Sequence, residues 1–214
     1  MRNIFRIVFA VAAMWGGGID VMAIEEAEYT VVIKEGDFEI RDYAPHVLAE
    51  TIVEGDFDEA GNKAFRRLFQ YISGNNEAQD KVAMTAPVSQ EAKGEKISMT
   101  VPVGQQQVGR RWTVSFMMPA SYTLETLPRP LDPEVTLRLV PARRLAAVRY
   151  SGLWSEKGYV QNKAALESWI KQRGQTPVGE PIWARYNAPF SLWFMRRNEV
   201  LIEIAPAANG NPGK

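Results

Sequence analysis

Every second residue from 47 to 53, Val47, Ala49, Thr51 and Val53, falls on one side of an extended chain, the period-two signature of a strand. After Asp56 the period lengthens. Phe65, Leu68, Phe69 and Ile72 fall at i, i+3, i+4 and i+7, one apolar face of a helix. Asp56 is placed to cap that helix, Glu59 completes a capping-box-like pair, and Gly74-Asn75-Asn76 ends it. A second helix is predicted from Ser155 to Gly174, with Leu166, Trp169 and Ile170 on its apolar side. The other periodic segments read as strands. They are 29–33 and 38–43 around a Gly36-Asp37 turn, then 82–88, 96–101, 112–118, 135–140, 145–150, 182–186, 192–195 and 200–204. Many strands and two helices without regular alternation predict an α+β fold with a mainly antiparallel sheet. Prolines 128, 130 and 133 mark 121–133 as a surface connector, and 205–214 reads as a flexible tail.

Two stretches rhyme. Val47-Leu48-Ala49, Gly55-Asp56-Phe57 and Asn62-Lys63-Ala64 return as Arg144-Leu145-Ala146, Gly152-Leu153-Trp154 and Asn162-Lys163-Ala164. The offset is 97 residues from Val47 to Arg144 and 100 from Asn62 to Asn162. The pattern predicts one pseudo-two-fold duplicated domain, with halves at about 29–120 and 134–204.

Arg2 and Arg6, the apolar run 7–15 and the small residues before position 24 have the layout of a secretory signal peptide, with cleavage expected after Ala23. The run is short for a membrane span, so the expectation is a periplasmic or secreted protein without a stable membrane anchor. An uncleaved anchor or a misplaced start is the other reading. The 214 residues contain 25 basic and 25 acidic groups, no cysteine and one histidine. Balanced charge gives no ground for a nucleic-acid partner. The absence of cysteine excludes disulfides, thiolate metal sites and cysteine nucleophiles. A catalytic triad would have to use His46, and no nucleophile elbow, zinc-ligand cluster, P-loop or dinucleotide fingerprint accompanies it. Glu25, Glu26 and Glu28 read as a solvated terminus.

The phrase Lys81-Val82-Ala83-Met84-Thr85-Ala86-Pro87-Val88 is echoed by Ile97-Ser98-Met99-Thr100-Val101-Pro102-Val103. Ala184-Arg185-Tyr186-Asn187-Ala188-Pro189 and Arg196-Arg197-Asn198-Glu199-Val200 follow. Together these phrases resemble the SOUL heme-binding protein family, over about 29–204. The resemblance implies a distorted antiparallel β-barrel flanked by two helices, a tetrapyrrole ligand and no catalysis. Met84 and Met99 read as core residues rather than thioether ligands.

Trp193, Phe194 and Met195 are consecutive large apolar residues. Read as a strand, they point to opposite faces, so one of them must meet a second apolar environment. A covering helix and a ligand cleft both satisfy that requirement. In heme-binding members the porphyrin is thought to lie between the first helix and the loop before the last strand pair. Carried to this sequence, the resemblance nominates Asn62, Lys63, Phe65, Arg66 and Phe69 on one wall and Phe190, Trp193, Phe194 and Met195 on the other. A flat disc suits aromatic and thioether surface, and its propionates suit cations such as Lys63, Arg66, Arg196 or Arg197. Solvated surface is the alternative for those four.

Some animal members place a proposed iron-ligating histidine where this chain has Asp42, in Glu39-Ile40-Arg41-Asp42-Tyr43. His46 lies on the same face by alternation unless Pro45 breaks the parity. It reads either as a substitute axial ligand or as an exposed histidine. The expectation is therefore non-covalent binding of heme or a related tetrapyrrole, for carriage or sequestration. The alternative is a small-molecule effector-binding module for another amphipathic or cationic ligand, with Glu180 and Glu203 as the nearest acidic candidates. An enzyme acting on tetrapyrroles is a third reading, disfavoured by the lone histidine.

Overall fold

The computed structural model describes residues 24–78, 94–188 and 190–205. In chain order these form β1 (Tyr29–Glu35), β2 (Phe38–Tyr43), β3 (His46–Glu54), α1 (Phe57–Ile72), β4 (Asn76–Glu77), β5 (Val103–Val108), β6 (Arg111–Met117), β7 (Arg129–Pro130), β8 (Val135–Val140), β9 (Arg143–Tyr150), α2 (Glu156–Gln172), β10 (Pro177–Arg185), a 3-10 turn (Trp193–Met195) and β11 (Asn198–Ile204). The segment 82–88 with Met84, the leader 1–23 and the tail from 206 onward lie outside the described residues.

Both helices begin as their sequences dictate. The Asp56 carboxylate accepts from the Glu59 N–H at 2.9 Å, and the Ser155 hydroxyl accepts from the Gly158 N–H at 3.1 Å. Each bond satisfies one donor that the first helical turn leaves unpaired. Asp56→Ala should therefore lower stability by about 1 kcal/mol, read as a reduced urea midpoint with an unchanged slope. The buried face of α1 is Phe57, Ala60, Gly61, Ala64, Leu68, Tyr71 and Ile72. It is rotated from the stripe read in the sequence, so Phe65 is half-buried and Phe69 is 47% exposed. In α2 the buried residues are Tyr159, Leu166, Trp169 and Ile170.

Nine strands form one antiparallel sheet in the order β1-β2-β9-β11-β10-β5-β6-β3-β8. The sheet ends in β1 and β8 and is not closed, which corrects the expected barrel. Closure depends on long-range pairing between end strands, which no local pattern encodes. From β2 to β8 the order runs β2-β9-β11-β10 and then β5-β6-β3-β8, with β10·β5 as the central pair.

α1 packs on β3, β6 and β8, and α2 on β9, β10 and β11, all on one face of the sheet. Between helices and sheet lies the main core, centred on Trp183, whose ring stacks on Phe57 at 4.6 Å. Alternation sends Leu145, Ala147, Ala184 and Leu201 to the other face, around Tyr43 and Tyr186.

Three strand readings need correction. Residues 192–195 are not a strand: they contain the 3-10 turn. Residues 96–101 join no ladder beyond a bridge from Val101 to Glu26, and the Thr100 hydroxyl donates to the Met117 carbonyl. Met99, read as core, is 36% exposed. β5 went unrecognised because its interior is Gly104-Gln105-Gln106-Gln107. Its one fully buried amide, Gln105, donates to the Phe57 carbonyl at 2.9 Å and so ties β5 to the start of α1. Among the described residues no helix is long and apolar enough to cross a membrane.

Candidate functional site

The two walls nominated from sequence both stay open to solvent. On α1, Asn62, Lys63, Arg66 and Phe69 are exposed, while Phe65 meets Phe116 edge-on at 5.2 Å and lies parallel to Phe69 at 6.0 Å. On the β10–β11 connection, Phe190, Trp193, Phe194 and Met195 are 90%, 57%, 55% and 67% exposed. The 3-10 turn explains this exposure. A strand would have buried alternate residues, whereas the turn presents all three outward. The Trp193 carbonyl accepts from the Gly152 N–H at 3.1 Å, which ties the turn to the loop after β9 and brings exposed Leu153 into that region.

Behind these walls lies a cluster that sequence reading did not single out. Arg185, at the end of β10, places its guanidinium 4.8 Å from the Trp183 ring centroid and 5.3 Å from that of Trp154. Arg196 covers Trp154 at 4.5 Å, and its Nε donates to the Ser191 carbonyl at 2.9 Å. Arg185 Nη2 donates to Gln105 Oε1 at 3.3 Å. The Arg185 Nε and the Trp154 indole N–H are buried without a partner among the described residues. Each such orphan donor costs about 1–3 kcal/mol. Burial lowers the Arg185 pKa to about 10, although Asp58 opposes that shift through space. Arg185 thus links α1, through Gln105 and Gly61, to the Trp154–Arg196 stack beneath the turn.

Arg197, nominated as a rim cation, points to the other side. Alternation along β11 groups it with Glu199 and Leu201, away from the helices. Its Nε donates to Glu199 at 2.9 Å, its Nη1 to Glu26 at 2.8 Å, and its guanidinium covers Tyr186 at 3.8 Å. Glu199 is fully buried and also accepts from Arg41 at 2.6 and 3.0 Å and from the Tyr186 hydroxyl at 2.9 Å. Arg41 reaches Glu39 at 2.7 Å. Burial opposes ionisation of Glu39, but hydrogen bonds from Lys34 and Arg41 outweigh it and hold the carboxyl below its usual range. A polar cavity of about 400 Å³ opens beside this network, lined by Tyr29, Lys34, Glu39, Arg41, Arg149 and Arg197 among others.

His46 lies apart from both walls. The break at Ala44-Pro45 resets the alternation, so Val47 and Ala49 face the helices and His46 does not. Its Nδ1 donates to the Ala44 carbonyl at 2.9 Å, and burial pulls its pKa down. It lines a cavity of about 460 Å³ with Glu25, Glu26, Glu28, Met117, Met118 and Tyr122, and none of the residues nominated on α1 or the turn lines that cavity. The acidic residues Glu25, Glu26 and Glu28 stay exposed, as a solvated terminus would, while lining this cavity, and Glu25 accepts from the Ala120 N–H at 2.6 Å. Asp42, in the position of the animal histidine, is held by Arg144 through two bonds of 2.6 and 2.7 Å. Glu180 is exposed and Glu203 half-buried against Arg143, so neither is a buried acid. Among the described residues no cluster of ligands is arranged to hold a bare metal ion.

The sequence profile described as SOUL heme-binding protein matches residues 24–203. The chain belongs to the SOUL heme-binding protein family. Human heme-binding protein 2 is 28% identical over 174 residues, covering 77% of this chain and 80% of its own. Among solved structures, a protein titled a hydrolase from Listeria innocua superposes with a TM-score of 0.53 at 16% identity, over 81% of this chain and 94% of its own. The EcmrR C-terminal domain gives 0.52 at 9% identity, over 83% and 98%. At such low identity these two structures share the fold alone. In this SOUL chain the family's phrases assemble at two places. The Arg41, Tyr186, Arg197 and Glu199 of three phrases meet in the buried network, whereas Arg185, from one of the same phrases, turns to the helix side.

Proposed function

We propose that this chain binds heme or a related tetrapyrrole non-covalently in an apolar groove between α1 and the 190–195 turn, as a carrier or sequestering protein that catalyses no reaction. One observation carries the reading. Phe190, Leu192, Trp193, Phe194 and Met195 are each more than half exposed, within six residues, and α1 presents Phe69 to solvent as well. A monomer rarely shows water such a contiguous apolar surface unless something covers it. A flat apolar macrocycle matches the aromatic and thioether chemistry, and the family's ligand class agrees. Lys63 and Arg66 stand on the α1 side for a propionate. Binding rests on apolar contact with weak or no axial ligation, because His46 lines a different cavity.

The leader supports export, with cleavage after Ala23 and a periplasmic or secreted product. We read the halves as copies of one unit. The mirrored strand order supports this, as does the shared offset of 97 residues between Phe38 and Val135 and between Gly55 and Gly152. Those two glycines adopt φ of 132° and 131°.

Hemin added to the mature protein should quench tryptophan fluorescence and shift its Soret band. Metal-free protoporphyrin should bind within about threefold of hemin, and His46→Ala should leave both affinities unchanged. A large loss in His46→Ala would restore axial ligation to the account. Binding of neither compound would favour the effector-binding module.

A further inference from the structure

We infer that Arg185, with the Trp154 indole N–H beside it, receives the anionic group of the bound ligand, a carboxylate in the case of a tetrapyrrole. The inference rests on the groove proposed above and names its anchoring residue, which the family resemblance did not supply. Arg41, Arg67, Arg143, Arg144, Arg173 and Arg197 each pair with a carboxylate. Arg185 has none among the described residues: it has one long bond to an amide oxygen and two indole faces. A buried cation in such surroundings is destabilising unless a counter-charge arrives.

The surroundings also prepare Arg185 for a planar anion. Trp183 and Trp154 hold the guanidinium between them, so its donor fork is fixed before a ligand comes. Its Nε and the Trp154 N–H are unused donors, which together suit the two oxygens of a carboxylate. Gly61 leaves the space. A Cβ there would lie 3.0 Å from Gln105 Oε1, a tight approach, and 3.5 Å from Arg185 Nη2, an ordinary contact, so a larger residue on α1 would press first on the amide that holds the guanidinium. Arg185 is half-buried as a residue, while its Nε and the Trp154 N–H are themselves buried, so an anion that pairs with them must displace what covers these two atoms. Its position between α1 and the stack under the turn is where a disc bridging the two walls would bring its polar edge.

The test compares hemin with hemin dimethyl ester, the same disc with both carboxylates capped, on the mature chain. Wild type should prefer hemin by tenfold or more. Arg185→Gln should lose at least tenfold on hemin and stay within twofold on the ester, abolishing the preference, while Arg185→Lys should recover part of it. Arg185→Gln should also raise the melting temperature by about 2–4 °C, since it removes an uncompensated charge rather than a structural bond. Equal loss on both ligands, an unchanged preference, or a lowered melting temperature with the preference intact would overturn the assignment. If wild type binds neither porphyrin, the groove's tetrapyrrole reading has failed and Arg185 is judged on anilinonaphthalene sulfonate, a flat apolar anion. Enhancement that disappears in Arg185→Gln upholds the anion site, and enhancement that persists, or is absent in wild type, overturns it.

Discussion

Glu199→Ala should destabilise the fold by about 3–5 kcal/mol, the range for removing one partner of a buried ion pair. For a chain of this size that lowers the melting temperature by roughly 10 °C. Glu199 is 0% exposed and serves two arginines and a tyrosine at once. Removing it leaves Arg41, itself 2% exposed, with only Glu39 as counter-charge, and leaves Arg197 with Glu26 alone. The loss comes from stranded charges more than from the pair's own strength, so Glu199→Gln, which keeps the shape and one acceptor, should suffer less than alanine. Glu203→Ala is the control. Glu203 lies on the same strand face and is half-buried, but it holds only Arg143 at 3.4 Å, an interaction worth about 1 kcal/mol or less. Thermal melts of the three variants decide the matter. A Glu199→Ala melt within 2 °C of wild type would mean that the network contributes no net stability.

This network also shows what the signature phrases encode. Glu39-Ile40-Arg41, Ala184-Arg185-Tyr186 and Arg196-Arg197-Asn198-Glu199 are distant in sequence, and their charged and tyrosyl members converge on one buried point across β2, β10 and β11. Part of what these phrases encode is therefore how the sheet is held, while Arg185, from the Ala184-Arg185-Tyr186 phrase, turns to the helix side. Strand parity already carried part of that answer. Positions 197, 199, 201 and 203 share a face, so Arg197 could be assigned to the network once β11 was recognised.

Elements with a clear period were legible. β3, β9 and both helices appear close to where alternation, capping residues and glycines put them. Three features resisted, each for a physical reason. The 193–195 turn looks like a strand because three large apolar residues in a row satisfy either pattern, and only exposure separates them. β5 is polar inside because Gln105 bonds a helix-start carbonyl, a long-range partner no window contains. The open sheet follows from β1 and β8 remaining unpaired at their outer edges, a property of the whole topology. Arg185 was invisible as a site for the same reason. What makes it unusual is the company of Trp154 and Gln105, brought from two separate segments to join Trp183 of its own strand.

Trp193→Ala with Phe194→Ala should weaken hemin binding by roughly 10- to 150-fold while leaving stability unchanged. Full burial of a large apolar side chain is worth about 1.5–3 kcal/mol. These two are 57% and 55% exposed, so about half of that remains for a ligand to gain from each. Together they offer about 1.5–3 kcal/mol, which is the stated factor in Kd. Because the exposed rings contribute little to the core, the melting temperature should stay within a degree or two. The pair of predictions is therefore crossed. Glu199→Ala lowers stability, and its folded fraction should still bind hemin with wild-type affinity, since the network lies on the face away from the helices. Trp193→Ala/Phe194→Ala lowers affinity and spares stability. A double variant that binds hemin as tightly as wild type would remove the turn from the site and leave its exposed apolar surface to some other partner. A double variant that melts far below wild type would show that the turn is packed structure, and with that the groove would lose one of its walls.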